Sequence, residues 1–359
     1  MTSGLSTATG RASTPRPRTR FTLAQDSDAT GPPERRGVAR DGVRLLVVRP
    51  GRLDHLLFHD LPGQLDPGAL VVVNTSATVP AALDARRQDG RRAVVHVSTR
   101  LPGGAWVVEL RRPDGAGPEL DTTTGERLRL PGGLTLRLGA LYPDPTAETG
   151  RLRLAEPAPT VPLLDYLAQH GRPIGYRHLT GRYPLADHQT VYATQPGSAE
   201  MASAGRPFTP TLLVRLMAAG VTVAPIVLHA GVSSPELGEP PLPERFDVPS
   251  GTARLVNSAR AAGRRVVAVG TTVVRALESA AGVDATVRAA SGWTDLVIGP
   301  DRPVRVVGGL VTGLHAPEAS HLLLLEAVAG PDTVAAAYDA AVQHHYLWHE
   351  FGDSTLFLP

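Results

Sequence analysis

The segment from about residue 84 to residue 156 alternates apolar residues with polar or charged ones, and this alternation restricts the possible folds more than any other feature of the chain. It is clear in RLRL at 127–130, LTLRL at 134–138 and RLRL at 151–154. A period of two places one face of a strand in a core and the other in water. Glycine and proline clusters separate the runs, as in small barrels and sandwiches. We therefore predict a small antiparallel β-domain over residues 84–156.

Strands and helices alternate in the rest of the chain. The apolar runs at 70–73 and 221–228 are typical of buried strands, whereas LLDYLAQH at 163–170 is typical of a helix. This alternation predicts a layered α/β domain over residues 21–83 and 157–359, with the β-domain inserted into it. Residues 1–20 are basic and lack an apolar stretch, which predicts a disordered tail rather than a signal peptide.

The absence of two residue types excludes several kinds of chemistry. The 359 residues include no cysteine, and all 36 basic residues are arginine. Without cysteine there is no disulfide, thiolate nucleophile or Cys-ligated zinc. Without lysine there is no Schiff base and no Walker-A phosphate loop. No group of histidines and carboxylates shows metal-ligand spacing along the sequence, so we predict no metal.

Charge and hydropathy give only broad limits on location and partners. The net charge is +2, which is weak evidence for a dedicated nucleic-acid binder. No apolar run approaches the roughly 20 residues that span a bilayer. We expect a cytoplasmic protein without a membrane partner.

Polar residues at the end of the predicted strand at 266–269 could bind an anion. Gly270 ends the strand, and Thr271 and Thr272 open a helix whose free N–H groups attract carboxylates or phosphates. Arg275 and Glu278 follow one turn apart on that helix. Taken alone, this stretch is also explained by a capped helix with an internal ion pair.

Two further predicted strands are followed by histidines. His229 and Gly231 follow the strand at 221–228, and Thr312 and His315 follow another. A single histidine is more often structural than catalytic. Because all three stretches fall at strand ends, we expect them to line one pocket.

Four stretches together resemble the S-adenosylmethionine:tRNA ribosyltransferase-isomerase family of queuosine biosynthesis. They are LVVVNTSATVPAAL, QTVYATQPGSAEMASAGRPF, VGTTVVRALES and LVTGLHAPE, and LHAG with the C-terminal AYDAAVQHHYLWHEFGDSTLFL extends the similarity. The resemblance implies an α/β domain with an inserted small β-barrel and a monomeric protein. It also implies transfer of the ribosyl part of S-adenosylmethionine to 7-aminomethyl-7-deazaguanine in tRNA, which gives epoxyqueuosine.

The resemblance assigns candidate site residues by their chemistry. Such a reaction needs a holder for the methionine carboxylate and general acid–base groups, because the sulfonium makes the C5′ hydrogens acidic. Glu244 or His229 is the candidate base, and His315 is a second proton carrier. The candidate cofactor-binding residues are Gly231, Gly270, Thr271, Thr272, Arg275 and Thr312. The candidate substrate-binding residues are Asn74, Gln189, Tyr192, Glu200, Gly205 and Phe208.

The chain departs from the family pattern mainly on the acceptor side. Two family arginines are replaced by Ala77 and Ala82, and a family histidine by Pro207. A new carboxylate appears at Glu200, and Pro235 stands where the family has an aromatic residue. Arginine binds phosphates and guanine-like edges bidentately, whereas alanine cannot.

These departures leave alternatives to tRNA modification. One is a paralogue that uses S-adenosylmethionine on a different, small-molecule acceptor. Another is a non-catalytic relative that binds a ligand or RNA. A third, independent of the family, is a transferase that binds a nucleotide phosphate at the threonine pair, although the chain lacks a glycine-rich fingerprint.

Overall fold

A computed structural model describes residues 16–24, 26–233, 241–317 and 319–359. The strands in these residues are β1 (Arg44–Arg49), β2 (Arg52–Leu57), β3 (Leu70–Asn74), β4 (Ser76–Thr78), β5 (Ala82–Arg86), β6 (Arg92–Arg100), β7 (Trp106–Arg111), β8 (Arg127–Arg129), β9 (Thr135–Leu141), β10 (Leu152–Ala158), β11 (Gln195–Ser198), β12 (Thr222–Leu228), β13 (Glu244–Val248), β14 (Val266–Val269), β15 (Ala290–Thr294), β16 (Gly309–Gly313) and β17 (Ser354–Phe357). The α-helices are α1 (Leu163–His170), α2 (Pro210–Ala218), α3 (Ser250–Ala261), α4 (Thr271–Ser279), α5 (His321–Ala329) and α6 (Pro331–Gln343).

A nine-stranded sheet forms the centre of the larger part of the described chain. Its order is β15-β13-β12-β3-β14-β16-β17-β1-β2. Every residue of β3 and β14 is buried, as expected for a central strand rich in valine. β12 and β14 pair in parallel with β3, and β16 pairs in parallel with β14. The carboxyl ends of these four strands therefore lie at one edge of the sheet.

Helices cover both faces of this sheet. Val72 of β3 belongs to the apolar cluster that contains Leu277 of α4. Its neighbour Val71 points the other way, into the cluster that contains Leu212 of α2 and Phe58. The predicted layered α/β domain is confirmed. Among the described residues, no helix is both long and apolar enough to cross a membrane.

The inserted segment is a closed antiparallel barrel of order β10-β7-β6-β5-β8-β9. The three alternating runs identified in the sequence fall on β8, β9 and β10. Trp106, Leu128 and Leu136 are fully buried in its core. The chain enters the barrel after β4 and returns to the α/β part after β10, so the predicted fold class is confirmed.

The predicted disordered tail over residues 1–20 is wrong at its C-terminal end. Thr19 is 2% exposed, and its N–H and hydroxyl both donate to Glu326 Oε1 of α5, at 2.7 and 2.8 Å. The N–H of Arg18 donates to the same oxygen. These hydrogen bonds, together with the packing of Phe21 against Tyr338 and Trp348, hold the segment on the surface of α5 and α6. Residues 1–15 lie outside the described part of the chain.

We expect Gly171→Ala to destabilise the junction between α1 and the barrel. A Cβ at this position would lie 1.9 Å from the carbonyl oxygen of Pro80 and 2.7 Å from that of Leu167, and neither backbone atom can rotate away. The expected loss is at least about 1–3 kcal/mol in the free energy of unfolding, measured by urea denaturation. Gly175→Ala is the matched control, because a Cβ there meets no atom within 4 Å. Equal stability of the two variants would contradict the packing described for Gly171.

Candidate active site

A cavity of about 940 Å³ lies between the barrel and the sheet edge at which β12, β14 and β16 end. Ligands bind at this edge in open α/β sheets. The three strand ends share this one pocket, as their positions in the sequence indicated. The predicted site residues that line it are Glu200, Gly231, Glu244, Gly270, Thr271, Thr272, Arg275, Thr312 and His315.

The turn between β14 and α4 offers an anion-binding corner in the cavity wall. Gly270 precedes α4 with φ of 92°, a left-handed conformation that favours glycine, and its N–H donates to the carbonyl of Val311. Thr271 and Thr272 form the first turn of α4. The N–H groups of a first turn have no acceptor within the helix, and the helix end carries partial positive charge. This corner suits a carboxylate.

Arg275 is buried one turn further along α4, and its guanidinium forms hydrogen bonds within the protein. Its guanidinium pairs with the Glu244 carboxylate and donates to the carbonyls of Leu242, Thr294 and Leu296. The other Glu244 oxygen accepts the N–H of Gly231 at 3.0 Å. This pair joins the end of β12, the start of β13 and α4 around the cavity.

The alternative of an ion pair between Arg275 and Glu278 within α4 is wrong. Glu278 Oε1 instead accepts the N–H groups of Arg305 and Val306, both at 2.8 Å. Glu278 is 1% exposed, and these hydrogen bonds satisfy Oε1, whereas Oε2 has only the Arg305 guanidinium at 3.7 Å.

His315 lies in the wall beside a second histidine that the sequence analysis did not single out. The rings of His315 and His321 are stacked, with centroids 4.6 Å apart. His315 Nε2 lies 3.0 Å from Thr312 Oγ1. Burial lowers the pKa of His315 well below its ordinary range and that of His321 to about 4, so both rings are neutral at pH 7. His321 is the first residue of α5, and this position was the available signal.

Six of the predicted site residues are not among the described residues that line the cavity. Most of them contact other parts of the protein instead. His229 Nδ1 lies 2.7 Å from Ser76 Oγ, and burial lowers its pKa. The Asn74 side chain bonds the backbone of Ser76 and Leu228, and Gln189 bonds that of Thr78. The remaining three, Tyr192, Gly205 and Phe208, contact one another, with Phe208 fully buried. Pro235 lies outside the described residues.

Glu200 is a buried carboxyl group in the cavity wall. Its oxygens accept the N–H of Ser233 at 2.8 Å and the Ser233 hydroxyl. Burial raises its pKa to about 7, and the charges of Glu350 and Glu109 act in the same direction. A carboxyl group with such a pKa can give or accept a proton near neutral pH.

Other residues of the wall were not identified from the sequence. The barrel and the segment after α1 contribute basic side chains, namely Arg111, Arg112, Arg172, Arg177 and Arg182. Tyr176, His178, His349 and Glu350 line another part of the wall. These residues come from three segments, 111–112, 172–182 and 349–350, and no local spacing connects one segment with another.

Comparison with known proteins gives consistent results over nearly the whole chain. The family model described as queuosine biosynthesis protein matches residues 18–357. The S-adenosylmethionine:tRNA ribosyltransferase-isomerase of Moorella thermoacetica is 37% identical over 331 residues, which cover 89% of this chain and 94% of that protein. The enzyme of the same name from Thermus thermophilus is 36% identical over 335 residues, covering 89% and 93%. The crystal structure of S-adenosylmethionine tRNA ribosyltransferase from Thermotoga maritima aligns with a TM-score of 0.53 and 29% identity, over 95% of this chain and 99% of that one.

We expect Glu200→Gln to stabilise the protein at high pH. Because the folded state raises the carboxyl pKa from 4.5 to about 7, wild-type stability falls as pH rises between these values. The variant avoids this loss of about 3 kcal/mol, so it is expected to be more stable by up to that amount at pH 8 and by about 1 kcal/mol at pH 5. Urea denaturation at both pH values measures the difference.

The control for this measurement is Glu156→Gln, at a carboxylate whose side chain is 72% exposed on the barrel. It is expected to leave the pH dependence of stability unchanged. A Glu200→Gln variant that is less stable than wild type at pH 8 would show that the buried carboxyl group is ionised and stabilising.

Proposed function

Because this chain belongs to the queuosine biosynthesis protein family, we propose that it is an S-adenosylmethionine:tRNA ribosyltransferase-isomerase. In this reaction the ribosyl moiety of S-adenosylmethionine is transferred to 7-aminomethyl-7-deazaguanine in tRNA and isomerised, giving epoxyqueuosine. The observation that carries the proposal is the match over about nine-tenths of the chain, with a cavity at the sheet edge where the shared motifs meet. tRNA is the macromolecular partner in this proposal, and the active protein is a monomer.

The corner formed by Thr271 and Thr272 binds the methionine carboxylate of S-adenosylmethionine in this proposal. The helix dipole, free N–H groups and threonine hydroxyls there all favour an anion. Arg275 contributes differently from the sequence-based expectation. Because its guanidinium is bound to Glu244 and three carbonyls, it fixes the corner rather than contacting the ligand directly.

Glu244 is the preferred candidate for the base that removes a C5′ proton. It lines the cavity, whereas His229, the other candidate, is bonded to Ser76 outside the described lining residues. Hydrogen bonds from the Gly231 N–H and the Arg275 guanidinium hold the Glu244 carboxylate in place. The remaining lone pairs of the carboxylate oxygens can accept a proton. His315 is the second proton carrier, and its lowered pKa makes a transiently protonated ring a strong acid.

The basic residues of the cavity wall are the proposed contacts for the tRNA backbone. Ala82, at one of the lost family arginines, pairs through its backbone with Arg172, and both residues line the cavity. The side chain of Arg172 pairs with Asp84, two residues after Ala82. A guanidinium can therefore approach an acceptor phosphate there without the family residue.

A second candidate function is transfer to a different acceptor, and the Glu200 carboxyl group favours it. This group is buried in the wall, where the family pattern has no carboxylate, and its pKa of about 7 suits recognition of a hydroxyl or an amine. Such an enzyme would retain the S-adenosylmethionine corner and use a small molecule in place of tRNA.

We expect Thr272→Val to weaken S-adenosylmethionine binding by about 10- to 100-fold, because the hydroxyl that would bond a charged group is lost while the side-chain shape is kept. Isothermal titration calorimetry measures the dissociation constant. Thr222→Val, at an exposed position at the start of β12, is the matched control and is expected to bind as wild type does. Unchanged affinity in the Thr272 variant would remove the proposed carboxylate corner.

We expect release of adenine and methionine from S-adenosylmethionine to depend on tRNA that carries 7-aminomethyl-7-deazaguanine. The reaction needs the amine as acceptor, so the rate without tRNA is expected to be at background. Chromatography of the nucleobase and mass spectrometry of the tRNA measure the products. Binding of S-adenosylmethionine without any release in the presence of this tRNA would contradict tRNA modification and favour a different acceptor.

A further inference from the structure

Three side chains of the metal-ligating type meet beside the cavity, from segments about 150 residues or more apart in sequence. Asp28, His178 and His349 each offer one ligand atom, and the three atoms lie within 4.8 Å of one another. His349 Nε2 is 3.2 Å from Asp28 Oδ1. His178 and His349 line the cavity. We propose that this cluster, called the His–Asp cluster below, binds a divalent transition-metal ion of the zinc type.

Backbone hydrogen bonds hold Asp28 next to His349. The N-terminal segment pairs with the chain before β17, since the N–H of Trp348 donates to Ser27 at 2.9 Å and the N–H of Ala29 donates to Trp348 at 3.1 Å. Asp28 lies between Ser27 and Ala29, the two residues that form these hydrogen bonds. The carboxylate therefore comes from a position fixed by tertiary structure rather than from a free tail.

His349 has a left-handed backbone conformation. Its φ is 68°, in a region that is uncommon for residues other than glycine. The turn is closed by the N–H of Gly352, which donates to His349 at 3.0 Å. Residues held in such conformations cluster at functional sites, where the surroundings fix a side chain in one direction. Here the direction is toward the cavity and Asp28.

A fourth group, the carboxylate of Glu350, also contacts His178. His178 Nε2 and Glu350 Oε2 are 3.0 Å apart. Both atoms are buried, and neither forms a hydrogen bond of good geometry with any described residue. Two buried ligand atoms at this separation resemble neighbouring ligands of one ion, since bonds of about 2.0–2.1 Å place tetrahedral ligands roughly 3.3 Å apart. Glu350 is thus either a fourth ligand or the carboxylate that orients His178.

The donor set defines the class of ion. Two imidazoles and one or two carboxylates suit zinc and similar ions, whereas magnesium and calcium prefer oxygen alone. The chain has no cysteine, so thiolate ligands are excluded. The rings of His178 and His349 are stacked, with centroids 4.7 Å apart, and the three ligand atoms lie within 4.8 Å of one another. The imidazole rings must therefore rotate out of this stack to bring their ligand atoms together on an ion. Since His178 and His349 face the cavity, an open coordination position would face it as well.

Ligand spacing along the sequence predicted no metal, because the residues of the His–Asp cluster are about 150 residues or more apart in the chain. The proposal is also independent of the ribosyl-transfer reaction. Its test uses metal binding alone, so its failure would leave the proposed function unaffected.

The experiment uses the untagged full-length protein, dialysed against a chelator and titrated with Zn²⁺ by calorimetry, with bound metal counted by mass spectrometry. We expect one ion per chain. Co²⁺ is expected to give visible d–d absorption without thiolate charge-transfer bands. Less than stoichiometric binding at micromolar Zn²⁺ would overturn the proposal and leave two ion pairs as the role of the cluster.

Four variants locate the ion. Asp28→Asn, His178→Ala and His349→Asn are each expected to weaken Zn²⁺ binding by at least about 100-fold and to abolish the Co²⁺ bands; asparagine tolerates the left-handed backbone at 349. Glu350→Gln is expected to weaken binding by about 10- to 100-fold. Asp28→Asn keeps the side-chain size, so it tests the site even if a histidine variant fails to fold.

The matched control is His59→Ala, since His59 is an exposed histidine with Nε2 3.7 Å from Asp60. It is expected to bind Zn²⁺ as wild type does. Wild-type affinity in both Asp28→Asn and His349→Asn would place the ion elsewhere and overturn the proposal.

Discussion

The buried pair of Arg275 and Glu244 is the interaction on which the cavity depends. Arg275 gathers three carbonyl oxygens from the segments around β13 and β15, and Glu244 adds the N–H of Gly231 at the end of β12. Removal of either partner would leave an unpaired charge on a side chain that is mostly shielded from solvent, which is far less favourable than the intact pair. The pair therefore fixes the first turn of α4 relative to the strand ends, and a rigid turn is what an anion-binding corner requires.

The sequence predicted the fold because the fold depends on short-range periodicity. Alternation with a period of two identified the barrel strands, and the valine-rich run at β14 followed by a threonine pair identified a strand and the helix after it. Both patterns are contained within a few residues, so they can be read without knowing which distant segments pack against the strand. The prediction that Thr19 belongs to a disordered tail was wrong, because its hydrogen-bond partner, Glu326, lies about 300 residues away in the chain. A hydrogen bond of that kind leaves no pattern in the local sequence.

The candidate site was only partly predictable for a related reason. Position after a strand correctly indicated which residues approach the sheet edge, but it could not tell which side chains have internal partners. Asn74 and Gln189 bond backbone groups, and His229 bonds Ser76, so their polarity is used in folding. Conversely, His178 and His349 acquire a common environment only when the chain is folded. A pocket assembled from distant segments needs the three-dimensional structure to reveal its members.

The cavity wall that contains Glu200 combines several titratable groups. Glu200 brings a carboxyl group, and the His–Asp cluster with Glu350 brings imidazoles and further carboxylates to the wall. Ionised carboxylates close together repel one another, which contributes to the raised pKa of Glu200. A bound divalent cation would lower this repulsion and favour the ionised form of Glu200. The corner at α4 and the wall that contains Glu200 line one cavity, so a cation bound at the His–Asp cluster would change the protonation of a group in the same cavity.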